Sequence, residues 1–413
     1  MTKKESKGRI LLVTQYFYPE NFKSNEIAFE LVKKGYEVDA LVSIPNYPEG
    51  RYFPGYGIFR KRKEVINGVN VFRAFQFPRG SGGRLLAFNY LSYIISACID
   101  VLFYYVWRKY DRIIVHQTSP VFQVYPAFLH KFFRGTPVYM WVLDLWPPSF
   151  FDYHTNFFDR LTKKIITYLT TRIYRKCDKI LISSQKFEEA ISELGILKDK
   201  IEYFPNWSED MLANSSAKIP DVSYPQGFTI LMAGNLGVAQ DMEAVGDLIL
   251  RLRDLEELKW VFVGNGSKKE WLDEFIKSNQ LYDKVFALGR FPYEQMPWFY
   301  NKADAMLITL RTGSRNLEYV VPARLQSYMS SGKPIFAMIG VGGRDVIKQS
   351  ACGYAVPAGD YEQLSVVIRE NYTQKDSLRQ CGANGRKFFM ENFAKDICID
   401  HLCEILDNRG KKW

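Results

Sequence analysis

The chain has 413 residues, of which 47% are hydrophobic and 24% are charged, so it is long enough for two domains and too apolar for a disordered protein. Its six cysteines form no CxxC pair and no close cluster with histidine, which argues against a structural zinc site and against a disulfide framework. The net charge is +10, and residues 1–205 hold 30 Lys and Arg against 19 Asp and Glu. The basic excess therefore lies in the first half, where it would attract anionic lipid, phosphate-bearing substrates or nucleic acid.

The first nine residues are polar and charged, and they run directly into an apolar strand pattern. A signal peptide would need a longer apolar stretch and a cleavage site. We therefore expect a cytoplasmic protein in a reducing environment.

The first half alternates strand patterns with helical patterns. Short apolar runs predict strands at 8–15, 36–44, 69–75, 111–116, 138–144, 179–184 and 201–204. Apolar residues at helical spacing predict helices that include 25–35, which ends on Gly35, and 157–177. Strands alternating with helices indicate a parallel sheet that is covered on both faces.

A polar stretch after Trp207 separates this series from a second one. The second series predicts strands at 228–233, 260–263, 285–288, 305–310, 334–338 and 353–356, and the stretch 376–408 has a helical pattern. The predicted fold is α/β of the GT-B type, with two Rossmann-like domains facing across a cleft and a C-terminal helix crossing back to the first domain. We place the first domain at 1–205, with 396–413 packing back on it, and the second domain at 206–395. Ligands of such folds bind outside the carboxyl ends of the strands.

Residues 85–107 form an apolar segment of 23 residues with Asp100 as its single charge. The length reaches the threshold for a membrane-spanning helix, whereas Asp100 and Asn89 are unfavourable at the centre of a bilayer. Three alternatives stay open: a spanning helix, a helix with one face buried and the other resting on a membrane, and a core helix. The basic flank and Trp107 favour contact with the membrane interface over spanning.

The second half contains two local patterns that suit a phosphate. A buried strand ends at Gly234-Asn-Leu-Gly237 before a helix, so backbone amides and the helix N-terminus could face an anion; Val263-Gly264-Asn-Gly266 is a weaker turn of the same kind. After the strand at 305–310, a polar loop carries Arg311 and Arg315, followed by Arg324 and a third glycine turn at 340–343. Guanidinium groups bind phosphate oxygens through paired N–H donors.

Polar residues also end three strands of the first half. They lie in the runs 15–20 (QYFYPE), 116–120 (HQTSP) and 144–147 (DLWP). Because the functional loops of open α/β sheets follow strand ends, we expect these runs to converge on one site.

Seven motifs in order along nearly the whole chain carry a family resemblance. They are ILLVTQYFYPE (10–20), IPNYPEG (44–50), DLWPPS (144–149), IEYFPNW (201–207), MAGNLG (232–237), FVGNG (262–266) and VPARLQSYMSSGKPI (321–335). The chain resembles glycosyltransferase family four, and within it a branch of capsule and O-antigen enzymes like the N-acetylfucosamine transferases. In the last motif, Ala323 and Arg324 stand where that branch has serine and lysine.

One feature departs from the family pattern. Many members have two glutamates eight positions apart before the Gly-Lys-Pro turn, and here Tyr319 and Ser327 hold those positions. Glu318 lies one residue from the first of them, so the roles of the family's glutamates are not carried over.

The resemblance implies a retaining, metal-independent glycosyltransferase without a cofactor. It implies a nucleotide-diphosphate donor, UDP-linked, whose sugar is an N-acetylated deoxyhexosamine or hexosamine. The implied acceptor is an undecaprenyl-diphosphate-linked glycan in capsule or O-antigen synthesis, at the inner face of the cytoplasmic membrane. The predicted catalytic residues are Asp144, His116 and Arg315; the donor-binding residues are Gly234, Asn235, Gly237, Gly264, Arg311, Arg315, Glu318, Arg324, Leu325, Gly342 and Gly343; and the acceptor-binding residues are Tyr18, Glu20 and Asn46.

Two other functions fit parts of the sequence. A soluble GT-B nucleotide-sugar epimerase would share the donor motifs, but it would not need a basic first domain or the apolar segment 85–107. A basic nucleic-acid-binding protein would interleave aromatic and basic residues along a groove. Here the aromatic residues fall in apolar runs, so we expect no nucleic acid as partner.

Overall fold

A computed structural model of the chain describes residues 6–80, 82–151, 159–212 and 218–407. The described residues divide into two compact units. The first unit runs to Phe204 and takes in the residues from Ile399 onward, and the second unit is Pro205–Cys398.

The first unit is built on one sheet with the strand order β3-β4-β2-β1-β5-β6-β7-β8. All neighbouring strands are parallel except β3 and β4, which form an antiparallel hairpin. The strands are β1 Arg9–Val13, β2 Glu37–Ser43, β3 Lys63–Ile66, β4 Val69–Ala74, β5 Arg112–Gln117, β6 Val138–Val142, β7 Lys179–Ile182 and β8 Ile201–Tyr203.

The sequence analysis missed β3. Its hairpin turns on Asn67 and Gly68, which both have positive φ (48° and 82°), the conformation that a two-residue hairpin requires. The Asn-Gly pair was therefore the signal. The four residues of β3 alternate between exposed and half-buried, so they lack the continuous apolar pattern of the buried strands.

Helices cover this sheet. They are α1 Lys23–Lys33, α2 Gly83–Asp100, α3 Tyr125–Arg134, α4 Pro148–Phe151, α5 Asp159–Lys176 and α6 Lys186–Ser192. The helix predicted at 25–35 is α1, and Gly35 follows it with φ 97°. The helix predicted at 157–177 corresponds to α5, and its first two residues lie outside the described residues.

The second unit has a fully parallel sheet with the order β11-β10-β9-β12-β13-β14. Its strands are β9 Phe228–Ala233, β10 Leu258–Val263, β11 Val285–Gly289, β12 Ala305–Thr309, β13 Ile335–Ile339 and β14 Gly353–Pro357. The helices that follow α6 along the chain are α7 Met242–Arg251, α8 Lys269–Ser278, α9 Met296–Lys302, α10 Arg315–Tyr319, α11 Ala323–Ser330, α12 Val341–Ser350, α13 Tyr361–Asn371, α14 Lys375–Asn392 and α15 Lys395–Leu406.

The stretch predicted to be helical at 376–408 forms two helices, α14 and α15, with a break between them at Phe393–Ala394. At the break, the backbone of Ser208 pairs with Ala394, and Ser208 N donates to Phe393 O at 3.3 Å. Contact with another segment thus interrupts a sequence that is helical by pattern. Asn408 lies outside the described residues.

The later turns of α15 belong to the first unit, which confirms the helix that crosses back to it. The Tyr36 hydroxyl donates to Asp407 Oδ1 at 2.6 Å, and His401 Nε2 lies 3.0 Å from Tyr203 O. Lys34 forms an ion pair with Asp400.

Each sheet reverses its strand order at one point. In the first unit the reversal falls between β1 and β5, and in the second it falls between β9 and β12. Outside the carboxyl ends of such strand pairs, an open α/β sheet leaves a crevice for a ligand. The predicted α/β class, with two Rossmann-like sheets, is confirmed, and the two reversal points locate the candidate sites.

The apolar segment forms α2 followed by a π-helical turn, Val101–Tyr105. Gly83–Tyr105 is the one helical stretch in the described ranges that is long and apolar enough to cross a membrane, and only 28% of its most apolar window is buried. The buried face holds the polar residues: Asn89 Nδ2 donates to Phe77 O at 2.6 Å, and Asp100 pairs with Arg62 at 3.3 Å. Leucine, isoleucine and phenylalanine occupy the opposite, exposed face. The helix therefore has one buried face and one exposed face, and its contact with a membrane stays a prediction.

Candidate active site

The glycine turn of the second unit lies at the reversal point of its sheet. Gly234 follows β9 with φ 116°, and its N–H donates to Val263 O at 2.8 Å. Gly234 and Asn235 are exposed, whereas Gly237 is buried and donates its N–H to Gln240 Oε1 at 3.0 Å. A short 3₁₀ turn, Val238–Gln240, follows before α7 begins at Met242. The exposed Gly234-Asn235 backbone is therefore the part of this turn that a ligand can reach.

Arg324 reaches this turn from the first helical turn of α11. Its Nη2 donates to Asn235 O at 3.1 Å, and Nη1 is buried without a hydrogen-bond partner among the described residues. The Tyr328 hydroxyl, one helical turn later, accepts from Ala233 N at 2.8 Å and fixes α11 to the end of β9. Two patterns 90 residues apart in sequence thus form one site that combines backbone amides with a guanidinium group.

Two further predicted residues adjoin the turn. A Cβ atom at Gly264 would lie 1.8 Å from Gly234 O, so the second glycine turn packs directly against the first. Arg311 N donates to Ala239 O at 3.0 Å, which places the loop after β12 beside the 3₁₀ turn. Gly264 acts through packing, and the charge of Arg311 acts on the carboxyl group of Asp241, which follows the 3₁₀ turn.

Glu318, Gly342 and Gly343 lie around the N-terminus of α12, and their contact with the leaving group stays a prediction. Glu318 Oε1 accepts from Val341 N at 3.0 Å at the N-terminus of α12 and lies 3.4 Å from Arg344 Nη2. A Cβ at Gly342 would lie 2.0 Å from Tyr319 O, and one at Gly343 would lie 2.4 Å from Ile339 Cδ1 and 3.3 Å from Pro322 Cδ. Gly342 therefore allows α12 to pack closely on α10, Gly343 allows it to pack on β13, and Glu318 joins α10 to α12.

Arg315 and Leu325 have different surroundings. Arg315 begins α10, whose N-cap Ser314 accepts from Leu317 N at 3.0 Å, and its guanidinium lies 5.1 Å from the centre of the Tyr319 ring. Leu325 is fully buried in the apolar core beneath α11. Leu325 therefore supports the helix that carries Arg324, and a side-chain contact with a ligand is excluded for it here.

In the first unit, Asp144 lies in the loop after β6. Its Oδ2 accepts from Ser119 N at 3.1 Å and from Ser119 Oγ at 3.0 Å. Burial raises the pKa of the Asp144 carboxyl, while the two bonds from Ser119 lower it. Two of the strand-end runs predicted to converge are thus joined by direct hydrogen bonds.

His116 does not face this site. The imidazole is 1% exposed, its centre lies 5.3 Å from the Trp141 ring, and Nδ1 lies 3.4 Å from Thr14 Oγ1. Burial lowers its pKa to about 3, so the ring is neutral. The structure corrects the catalytic expectation for His116, because a ring enclosed in this way contacts core residues and no substrate.

Glu20 and Asn46 are also turned inward. Glu20 Oε1 accepts from the backbone N–H groups of Asn46 (2.8 Å) and Tyr47 (2.7 Å), and burial raises its pKa to about 7. Asn46 Oδ1 accepts from Arg79 N at 2.8 Å. Tyr18 is the member of the predicted acceptor set that is exposed, at 45%. Glu20 and Asn46 therefore hold loops in place, and Tyr18 alone of the three presents its side chain to solvent.

Arg79 is the residue at this sheet edge that the sequence analysis did not assign to the site. Its Nη1 donates to the Tyr16 hydroxyl at 3.0 Å, and its guanidinium lies 5.3 Å from the centre of the Tyr47 ring. The strand-end rule, applied also to the loop after β4, would have identified it.

Among the residues that the structure describes, no three His, Cys, Asp or Glu side chains are grouped so that they could hold a metal ion.

Comparison with known proteins supports one assignment for both units. The model of a glycosyl transferase 4-like domain matches residues 24–207, and the model of glycosyl transferases group 1 matches residues 220–388. A putative colanic acid biosynthesis glycosyl transferase of Escherichia coli K12, WcaI, is 24% identical over 330 residues, which is 75% of this chain and 77% of that protein. The amylovoran biosynthesis glycosyltransferase AmsK of Erwinia amylovora is 23% identical over 57% of this chain and 58% of its own length.

Solved structures resemble the chain over its whole length. The structure of Anabaena Alr3699/HepE in complex with UDP has a TM-score of 0.67 at 13% identity, covering 97% of this chain and 100% of that one. WaaG, a glycosyltransferase of lipopolysaccharide biosynthesis, has a TM-score of 0.66 at 12% identity, covering 96% and 99%. At this identity the likeness shows the fold, which is GT-B. The two family models together establish that the chain belongs to the group 1 glycosyl transferases and is a retaining glycosyltransferase.

Proposed function

We propose that the enzyme transfers a sugar from a UDP-linked donor to a lipid-diphosphate-linked glycan during synthesis of a surface polysaccharide such as a capsule or O-antigen. The donor sugar in this proposal is an N-acetylated deoxyhexosamine or hexosamine, as in the branch whose motifs the sequence resembles. The relatives named for colanic acid and amylovoran biosynthesis support the product class. The relative solved with UDP supports the nucleotide.

The observation that carries the proposal is the contact of Arg324 with the exposed glycine turn at the reversal point of the second sheet. Arg324 keeps one N–H group without a partner among the described residues, and the Gly234-Asn235 backbone beside it is exposed. As the glycosidic bond breaks, negative charge grows on the leaving UDP. A guanidinium already in place stabilises that charge, and loss of one such donor typically costs about 100-fold in kcat.

The first unit supports the acceptor half of the proposal. Residues 1–205 carry a net charge of +11, and the exposed face of α2 is apolar. A helix with its polar residues packed on the protein and its apolar residues exposed can rest in the interface of an anionic membrane. A peripheral position at the inner face of the cytoplasmic membrane would bring the enzyme to a lipid-linked acceptor.

Calorimetry with UDP, GDP, ADP and dTDP tests the donor half. We expect the wild type to bind UDP more tightly than GDP, ADP or dTDP. Arg324→Gln should lower the affinity for UDP by about tenfold, because a charge-assisted hydrogen bond is lost. Arg253→Gln, which removes an exposed arginine after α7, serves as the control of equal charge and should bind UDP like the wild type. Equal UDP affinity of Arg324→Gln and the wild type would refute the role of Arg324.

A further inference from the structure

Most polar side chains described at the carboxyl edge of the first sheet form hydrogen bonds with backbone groups of the protein. Glu20 accepts from three backbone N–H groups, the third being Phe17 N at 3.3 Å. Asn46 bonds Arg79 N through Oδ1 and Ile44 O through Nδ2 (both 2.8 Å). These groups have little capacity left for a ligand, so an anionic acceptor must be recognised by another side chain.

Arg79 differs from them in both charge and surroundings. Its guanidinium is half-buried among the phenol rings of Tyr16, Tyr47 and Tyr90. Burial raises the pKa of the Tyr90 phenol, the charge of Arg79 lowers it and that of Asp144 raises it, so Tyr90 lies close to both. Among the described residues, no carboxylate forms an ion pair with Arg79. The guanidinium is therefore surrounded by neutral hydroxyl groups and rings that leave its positive charge uncompensated, so it is available to an anion.

The backbone of Arg79 is held in place from two sides. Asn46 Oδ1 accepts from Arg79 N, and Gly50 approaches the Arg79 carbonyl so closely that a Cβ would lie 1.9 Å from its oxygen. Gly50 has φ 68°, so a side chain there would be both strained and obstructed. Glu20 fixes the loop that carries Asn46. The acceptor-site expectation for Glu20 and Asn46 thus becomes a supporting role, since both orient Arg79.

The position of Arg79 next to α2 indicates what kind of anion it meets. It lies four residues before the N-terminus of α2, and the exposed apolar face of that helix begins at Leu85 and Phe88, which are 54% and 61% exposed. A lipid chain lying along this face would have its head group near Arg79. Asp144 also lies near Tyr90, so a hydroxyl group of the acceptor sugar could bind at Asp144 while the head group binds at Arg79.

We propose that Arg79, held by Tyr16 and Asn46, binds the phosphate groups of a lipid-diphosphate acceptor. The inference rests on the proposed function and specifies its acceptor site. Paired N–H donors of a guanidinium suit a diphosphate, and the surrounding rings exclude water from that contact. The ligand is an anionic phosphate head group, either attached to a lipid chain or free.

Titration of the full-length protein with farnesyl diphosphate tests this site, with saturating UDP present to block the donor site. We expect Arg79→Gln to lower the affinity for farnesyl diphosphate by about tenfold or more. Arg79→Lys should lower it less, because lysine keeps the charge but loses the paired N–H donors of the guanidinium. The control Arg60→Gln, which removes an exposed arginine that is paired with Gly57 in a tight turn, should bind like the wild type. Farnesol, which lacks phosphate, should bind Arg79→Gln and the wild type equally.

Two further measurements distinguish a lipid-linked head group from free phosphate, and failure of this inference from failure of the proposed function. Inorganic pyrophosphate that competes with farnesyl diphosphate in the wild type and not in Arg79→Gln would support a head-group site. Unchanged binding of farnesyl diphosphate by Arg79→Gln would overturn the inference, and so would a wild type that does not bind it. Either result leaves UDP binding intact, whereas a wild type that fails to bind UDP would refute the proposed function instead.

Discussion

The carboxyl edges of the two sheets use their polar residues in opposite ways. In the second unit, Arg324 Nη2 donates to Asn235 O at 3.1 Å, and the Gly234-Asn235 backbone is exposed to a ligand. In the first unit, Glu20 and Asn46 bond backbone groups of neighbouring loops, and Arg79 is left as the available cation. The difference follows from loop length. A short turn between strand and helix needs little support, whereas the long loops of the first unit need buried polar side chains to satisfy their backbone groups.

We expect the largest loss of stability and of UDP binding from substitution of Gly264, where the two glycine turns of the second unit pack together. Gly264→Ala would place a Cβ 1.8 Å from Gly234 O at φ 149°, so we expect a loss of about 3 kcal/mol or more in stability and loss of UDP binding. Gly289→Ala, at φ 84° with no atom within 4 Å, should cost only about 1 kcal/mol. Thermal unfolding and UDP calorimetry measure both, and equal effects of the two substitutions would contradict the packing argument.

Asp144 tests whether the first unit contributes to the chemistry. In Asp144→Asn the amide oxygen can still accept from Ser119 N and Oγ, so the loop should keep its conformation. We expect about a 100-fold fall in kcat, because the carboxylate that orients the acceptor hydroxyl is lost. Steady-state transfer kinetics give this value. UDP affinity should not change, and full activity of the variant would reduce Asp144 to a loop-fixing residue.

The exposed face of α2 should control membrane binding. Leu91 and Ile95 are each 52% exposed, so the double substitution Leu91→Ser/Ile95→Ser should leave the fold intact. Flotation with phosphatidylglycerol vesicles should show about a 30-fold loss of binding, since each of the two apolar side chains contributes about 1 kcal/mol when half of it leaves water. Ile219→Ser, on an exposed apolar residue of the second unit, is the control. Equal binding of all variants, or equal binding to neutral phosphatidylcholine vesicles, would contradict the membrane assignment.

The smallest effect concerns the supporting role of Glu20. Burial raises its pKa to about 7 from 4.5, so the folded protein binds this proton more tightly than the unfolded chain. The stability that the group contributes is fully present below pH 4.5 and is lost as the pH rises from there through about 7. Glu20→Gln should cost about 1 kcal/mol at pH 5, because one amide hydrogen faces the N–H of Phe17, and the difference from the wild type should shrink by pH 8. Urea unfolding at both pH values measures it. A difference that grows with pH would mean that the three N–H donors keep the carboxylate ionised.

Much of the fold followed from the sequence, because buried strands and strand-to-helix glycine turns have strong local patterns. The α/β class and the helix crossing back to the first unit both correspond to the structure, and membrane contact of residues 85–107 stays a prediction. The sequence did not predict β3, because its residues are exposed or half-buried. It did not predict the break at Phe393–Ala394 either, because that break depends on pairing with Ser208, which is distant in sequence.

The candidate site was predictable only in part. Local patterns indicated Gly234 and Arg324 separately, and their contact through Asn235 O could not be predicted because it depends on how α11 packs on the end of β9. The bond between Glu318 and Val341 N was equally hidden, because a helix N-terminus binds a carboxylate of the protein as readily as a ligand. His116 was misassigned because sequence position does not reveal that Trp141 encloses the ring.

The central claim is that this enzyme transfers a sugar from UDP to a lipid-linked glycan. The most direct test incubates it with a panel of UDP-sugars, UDP-N-acetylhexosamines included, and lipid-linked glycans extracted from bacteria that make exopolysaccharide, and measures UDP release together with radiolabel in the lipid fraction. We expect UDP release that depends on the extract, label in the lipid fraction, and a rate that falls about 100-fold in Arg324→Gln. Equal UDP release with and without the extract, or no label in the lipid fraction with any UDP-sugar, would contradict the account.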